Sequence, residues 1–356
     1  MKLFGLTLII TSILALIARV IKEQDDKPNV IISLFIVIIL VLVAGLRNNI
    51  GDTEAYISLY NLVSTGSDLS GYEWGFVFIL SVLKKISQDP QFMIFSLAMI
   101  TTVINIWTIR KYSKVFELEI FIYIAAGYFL ITMNGVRQAL VASILFGCTN
   151  LIINNKFKIY LPVVLVLSTI HTSALIMIPV YFLVKTEAWS EKMMKTIGIA
   201  IVAFILFQPL MNMVFSLIEG TRYSSYEEVV MSSGNGANII RVVLAALPVI
   251  LSYIKRDELK EAWPESNLFV NMSVINLIIM AFSLFNWIFA RFAFYFQMYT
   301  FILLPFIMIR LFEKRDKGLI YYGFIACYLL FFLIEENGLV YKSNFIGDFK
   351  KTGGNG

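Results

Sequence analysis

Several short stretches of this 356-residue chain set chemically capable side chains against apolar runs. In "LRNNIGDTEAY" (46–56), Arg47, Asp52, Glu54 and Tyr56 follow directly on a charge-free run, 30–46. Asp52 and Glu54 form an acidic D-x-E pair, with Tyr56 one helical turn after Asp52. Paired carboxylates can supply a base or a metal ligand, and a solvated loop would carry them equally well. Their place at a membrane edge suits a substrate on a lipid anchor, whose reacting bond lies at headgroup depth. In "NGVRQALVAS" (134–143), Asn134 and Gly135 make a turn that sets Arg137 and Gln138 in the first turn of a helix. Free N–H groups and the helix dipole favour an anion there. In "STIHTSAL" (168–175) the only histidine of the chain, His171, stands among hydroxyl side chains. A neutral imidazole is a general base near neutral pH, and a histidine bonded to a helix carbonyl for packing fits the same residues.

Two further stretches carry arginine. In "NWIFARFAFYFQMY" (286–299), Arg291 and Tyr295 are four apart and are expected to share a helix face. In "EGTRYSSYEEVVMSSGNGAN" (219–238), Arg222 is flanked by Tyr223 and Tyr226, which suit either sugar stacking or an aromatic belt. Arginine offers a rigid donor fork that pairs bidentately with phosphate. Arg47, Arg137, Arg222 and Arg291 together point to an anionic ligand, although each alone also reads as an interfacial arginine that snorkels to water.

Other chemistries lack their residues. Cys148 and Cys327 are the only cysteines, both in apolar runs, so no disulfide framework is expected. One histidine cannot build a multi-histidine metal site, and there is no GxxxxGK, GxGxxG or HExxH. No metal and no cofactor are expected. The net charge of +5 comes without a basic, aromatic-interleaved patch, which argues against nucleic acid.

The elements that position these residues are membrane helices. The chain is 59% hydrophobic and 15% charged, against roughly a quarter charged in soluble domains. Ten apolar runs are long enough to cross a bilayer: 3–21, 29–46, 91–109, 117–133, 136–153, 196–217, 238–254, 267–286, 290–311 and 319–335. The pattern predicts an all-α polytopic membrane protein of about 10–12 transmembrane helices, with one or two re-entrant or surface helices and an outer-face cavity. It predicts one integral membrane domain over 1–356, outer loops at 47–72 and 218–237, and a polar tail at 336–356. Segments 73–88 and 159–184 are ambiguous: one is short and ends in two lysines, the other is interrupted by polar residues at 168–173. The excess of lysine and arginine in cytoplasmic loops favours reading both as partial crossings. Then 110–114 and 155–158 are cytoplasmic, the four arginines share the outer face, and 159–184 is a re-entrant hairpin with His171 at its turn.

In order along the chain, "GLRNNIGDTEAY" (45–56), "GYEWGF" (71–76), "NGVRQALVAS", "STIHTSALI" (168–176) and "ARFAFYF" (290–296) resemble the motifs of the EpsG-like, Wzy-type bacterial polysaccharide polymerases, which make O-antigen, capsule or exopolysaccharide. The resemblance spans most of 45–296. It implies transfer between two undecaprenyl-diphosphate-linked oligosaccharides at the outer face of the bacterial cell (inner) membrane, with membrane lipids, a chain-length regulator and a flippase as partners. A growing chain passes to a new repeat unit, and undecaprenyl diphosphate leaves. The arginines, chiefly Arg47, Arg137 and Arg291 with Arg222, would hold the diphosphate, beside Gln138, Tyr56 and Tyr295. His171, Asp52 or Glu73 would serve as base. A ligase that passes the glycan to another acceptor shares this chemistry. A transporter of lipid-linked glycan is the rival from another class, but the chain has no internal repeat, and its charges lie at run ends rather than mid-membrane.

Overall fold

Capping residues turn the apolar runs into helices. The Asn29 side-chain oxygen accepts from the Ile31 and Ile32 N–H groups (3.1 and 3.2 Å), two donors that a first helical turn cannot pair internally. Asp89 accepts from Gln91 (2.9 Å), with Pro90 at the first helical position. Asn238 accepts from Ile240 (2.9 Å).

The structure, a computed structural model, describes residues 2–23, 26–63, 69, 71–207, 209, 236–313, 315–336 and 338–346. Its helices are α1 Lys2–Val20, α2 Val30–Gly45, α3 Thr53–Leu62, α4 Trp74–Ile86, α5 Pro90–Tyr112 and α6 Phe116–Ala125. Then come α7 Tyr128–Asn134, α8 Val136–Gly147, α9 Thr149–Ile153, α10 Phe157–Ser168, a 3₁₀ turn Thr172–Ile176, α11 Met177–Leu183 and α12 Glu191–Ile205. The last are α13 Ile239–Ile254, α14 Arg256–Ala262, α15 Ser266–Phe282, α16 Ile288–Phe292 with a 3₁₀ turn Ala293–Tyr295, α17 Gln297–Arg310 and α18 Lys317–Glu335. The fold is that of an all-α polytopic membrane protein, without strands among the described residues. On α2, Ile36, Val37, Leu40, Val41 and Ala44 are buried, while Ile31, Leu34, Phe35, Ile38 and Leu42 on the other side are exposed. A helix apolar on both faces needs an apolar medium outside it.

Several helices are shorter than the ten apolar runs. Among the described residues, α1 (from Leu3), α5 and α18 are long and apolar enough to cross a membrane alone, or up to five spans if each bent pair counts as one. The 117–133 run is α6 and α7, bent by 50° where Gly127 adopts φ +78°. The 290–311 run is bent by 63° between Tyr295 and Gln297. The 136–153 run is divided at Cys148. Hydropathy registers apolar length and not these breaks, which arise from local φ/ψ and tertiary contacts.

The chain divides into two compact units, 1–178 with 312–356, and 179–311. In the first, α5 lies at the centre, packed on α2, α3, α4, α6, α7 and α8. Gln91, at its start, donates to Gly45 O (2.6 Å). Arg110, near its end, donates to Pro28 O (2.8 Å) and pairs with Glu23 (2.7 Å). Residues 110–114 are therefore at the α1–α2 turn, the opposite end from Arg47. Tyr60 OH donates to Ser87 O (2.8 Å), and the other end of α4 lies by the start of α8, so α4 lies across the Arg47 end instead of traversing the unit. In the second unit, α13, α15 and α17 pack on one another, and α12 packs on α15.

The last four carbonyls of α2 have four different partners. Leu42 O accepts from Leu46 N (3.1 Å), Val43 O from Tyr341 OH (3.0 Å), Ala44 O from Arg47 Nη1 and Gly45 O from Gln91. An unpaired carbonyl buried there would cost roughly 1–3 kcal/mol. Tyr341 belongs to the polar tail, whose segment 340–344 lies along the 46–49 loop.

Candidate functional site

Arg47 is 1% exposed, and every nitrogen of its guanidinium donates to protein. Nε bonds Thr53 Oγ1 (3.1 Å), Nη1 bonds Ala44 O, and Nη2 bonds Met133 O (2.8 Å). Burial lowers its pKa from the ordinary arginine range to about 10. Expected to hold a diphosphate, Arg47 in the structure bonds each guanidinium nitrogen to protein and staples the end of α2 to the end of α7 and the start of α3.

The loop after Arg47 is fixed against the α7–α8 turn. Asn134 Oδ1 accepts from the Asp52 N–H (3.1 Å). Gly51, at φ +54°, comes so near that a Cβ there would lie 2.5 Å from Asn134 Oδ1 and 2.7 Å from its Cα, so only glycine fits. Asp52 precedes α3 without capping it, and the Asp52 and Glu54 side chains are exposed. Tyr56 is buried, and its hydroxyl accepts from the Arg137 N–H (3.5 Å), one of the donors at the start of α8.

Arg137 and Glu73 are brought together. Nη1 of Arg137 pairs with Glu73 Oε2, with side chains 23% and 24% exposed. The guanidinium stands over the rings of Tyr72 (5.3 Å) and Phe76 (5.6 Å), and its Nε is buried without an acceptor. Glu73 Oε1 accepts from the Thr172 N–H (3.3 Å), so one carboxylate joins α8 to the histidine turn. Gly75 N donates to Thr169 O (2.9 Å), and a Cβ on Gly75 would lie 2.1 Å from Thr169 Oγ1.

His171 caps the 3₁₀ turn. Its Nδ1 accepts from the Ser173 N–H (3.4 Å) and lies 2.7 Å from Ser173 Oγ. An amide can only donate, so Nδ1 carries the lone pair and the neutral ring holds its proton on Nε2. Gln138, 3% exposed, donates to Ser173 Oγ (3.3 Å). Ser173, Asn134, Tyr72 and Phe76 were not among the expected site residues. All four did lie inside the quoted motifs: Tyr72 and Phe76 in 71–76 with Glu73, Asn134 at the start of 134–143, and Ser173 two residues after His171.

In the other unit, Arg291 on α16 stacks over Trp287 at 4.9 Å. The helix passes into 3₁₀ geometry after Phe292, and Tyr295 is buried at 2% exposure while Arg291 is half-buried. The α-helical spacing expected between the two thus gives way to 3₁₀ geometry before Tyr295. Arg222, Tyr223 and Tyr226 lie outside the described residues. Among the described residues no group of three or more His, Cys, Asp or Glu could hold a metal ion.

An arginine–carboxylate pair and a histidine–serine pair thus stand together at one end of a unit of an all-helical, polytopic membrane protein. More particularly, a family model described as the EpsG family matches residues 30–336, and the chain belongs to that family of Wzy-like polysaccharide polymerases. Its function is accordingly of the polysaccharide polymerase type. No curated protein and no solved structure matches the chain.

Proposed function

We propose that the protein polymerises oligosaccharide repeat units carried on undecaprenyl diphosphate, with the Arg47 end of the first unit at the outer membrane face. The observation that carries this reading is the Glu73 carboxylate, which bridges Arg137 and the amide after His171. It gathers a cation, a base and a hydroxyl relay within one short chain of contacts. In the step proposed, an acceptor sugar hydroxyl attacks the anomeric carbon of the donor chain. The bond from that carbon to the diphosphate oxygen breaks, and undecaprenyl diphosphate departs. Arg137 stabilises the leaving charge, a contribution that in enzymes is often several kcal/mol. The acceptor proton passes to Ser173 Oγ as the serine proton passes to His171 Nδ1, 2.7 Å away. Arg47 positions rather than binds, and Asp52, exposed at the same end, is the second candidate base.

Reconstitution into vesicles with a synthetic undecaprenyl-diphosphate-linked repeat unit tests the reaction. A ladder of products is expected. Passage of the intact substrate across the bilayer without a ladder would mark a transporter, and a single transfer to a different acceptor would mark a ligase.

Orientation follows from the same reading. In a background lacking Cys148 and Cys327, Glu54→Cys should react with an impermeant thiol reagent in intact cells. Lys111→Cys and Lys156→Cys should resist it. If all three react alike, the outer-face placement is wrong and 73–88 and 159–184 are simple spans. Under that result Arg137 leaves the proposed site.

A further inference from the structure

The tail beyond Glu336 lies outside the family match, yet its segment 340–344 is bound into the scaffold of the site. Asn49 clasps it from both sides: Nδ2 donates to Val340 O (2.7 Å), and Oδ1 accepts from Lys342 N (2.8 Å). Asn48 N donates to Lys342 O (3.1 Å), and its side chain donates to Asn344 Oδ1 (3.0 Å). Tyr341 is fully buried, edge-on to Phe4 at 5.8 Å, and its hydroxyl meets Val43 O. These contacts seat the segment on the loop that leads from Arg47 to Asp52. That loop in turn holds Met133 through Arg47 and Asn134 through Asp52, three residues before Arg137.

We infer that residues 340–344 form a strap whose Tyr341, with Asn49, positions the Arg47 loop and through it Arg137. The strap touches no substrate in this scheme. It sets the loop's register, because two backbone amides and two asparagine side chains fix both strands of the contact, and Tyr341 closes the last open carbonyl of α2. An exposed charged tail that merely reached water would need none of these bonds. The inference rests on the polymerase reading of Arg137, so its test needs a readout that does not depend on turnover.

The full-length protein in nanodiscs is compared with four variants: Tyr341→Phe, Asn49→Ala, a chain ending at Gly338 and a chain ending at Ile346. Backbone hydrogen exchange and polymer formation are followed well below the thermal midpoint. Removing the strap, and more weakly Asn49→Ala and Tyr341→Phe, should speed exchange at 46–52 and at 133–137 but leave the middle of α5 protected. The apparent KM for the lipid-linked donor should rise at least tenfold, with kcat changed less. The chain ending at Ile346 should match the wild type. Unchanged exchange at 133–137 on loss of the strap overturns the inference, as does equal damage from both truncations. If the chain ending at Gly338 does not fold, Tyr341→Phe and Asn49→Ala decide it by the same exchange readout. Faster exchange at 133–137 with an unchanged KM supports the strap and counts instead against the role of Arg137.

Discussion

Arg137→Lys is expected to lower polymer formation by about 10²–10³-fold, the loss seen when one preorganised donor to a developing charge is removed. Lysine keeps the charge but not the fork. In the structure the guanidinium meets Glu73 through Nη1 and lies over Tyr72 and Phe76. An ammonium could keep the contact to Glu73, but it has no second, parallel edge for a diphosphate. Arg137→Ala should be at least as damaging, since it also leaves Glu73 without its counter-charge. Both proteins should insert and purify like the wild type, because the contacts that fix the site's frame run through Arg47, Asn134 and Gly75. The measurement is product length and yield with a defined lipid-linked repeat unit. Near-normal polymer from both variants would remove Arg137 from the diphosphate site.

His171→Gln is expected to lose about 10²–10⁴-fold in rate, the usual contribution of a positioned acid–base group. Glutamine can accept from the Ser173 amide, as Nδ1 does at 3.4 Å, and so can keep the cap of the 3₁₀ turn. It cannot take up a proton. Donor binding should change far less, because the leaving group is held by Arg137. If His171→Gln polymerises at close to the wild-type rate, the histidine is a cap alone. Asp52→Asn becomes the next variant to measure.

The all-helical membrane class was legible because composition and long apolar runs leave no other solvent for such surfaces. Glu73, Arg137, Gln138 and His171 were legible as candidates because each stands in a short motif at the end of an apolar run, and the structure brings these four together. Arg47 stands in such a motif too, but its role was hidden. Two of its partners, Ala44 and Thr53, are local, but the third is a carbonyl 86 residues away, at Met133, which no local pattern announces. Arg291 and Tyr295 have helical spacing, and neither residue announces the change to 3₁₀ geometry between them. The tail read as polar and without specific role. Its hold on the loop comes from Asn48 and Asn49, whose partners lie almost at the far end of the chain.

That separation has a consequence for how the protein is made. The bonds from the strap to the 43–49 region join residues 291 to 298 positions apart. At synthesis rates of about 5–20 residues per second, the Arg47 loop must wait on the order of 15–60 s after its own translation before Tyr341 exists to close over it. Throughout that interval the carbonyl of Val43 needs a temporary partner, whether water, lipid headgroup or insertion machinery. A chain released before Val340 is made would hold the helices through α18 and lack the strap. Such a chain should insert normally and show the raised donor KM expected when the strap is lost.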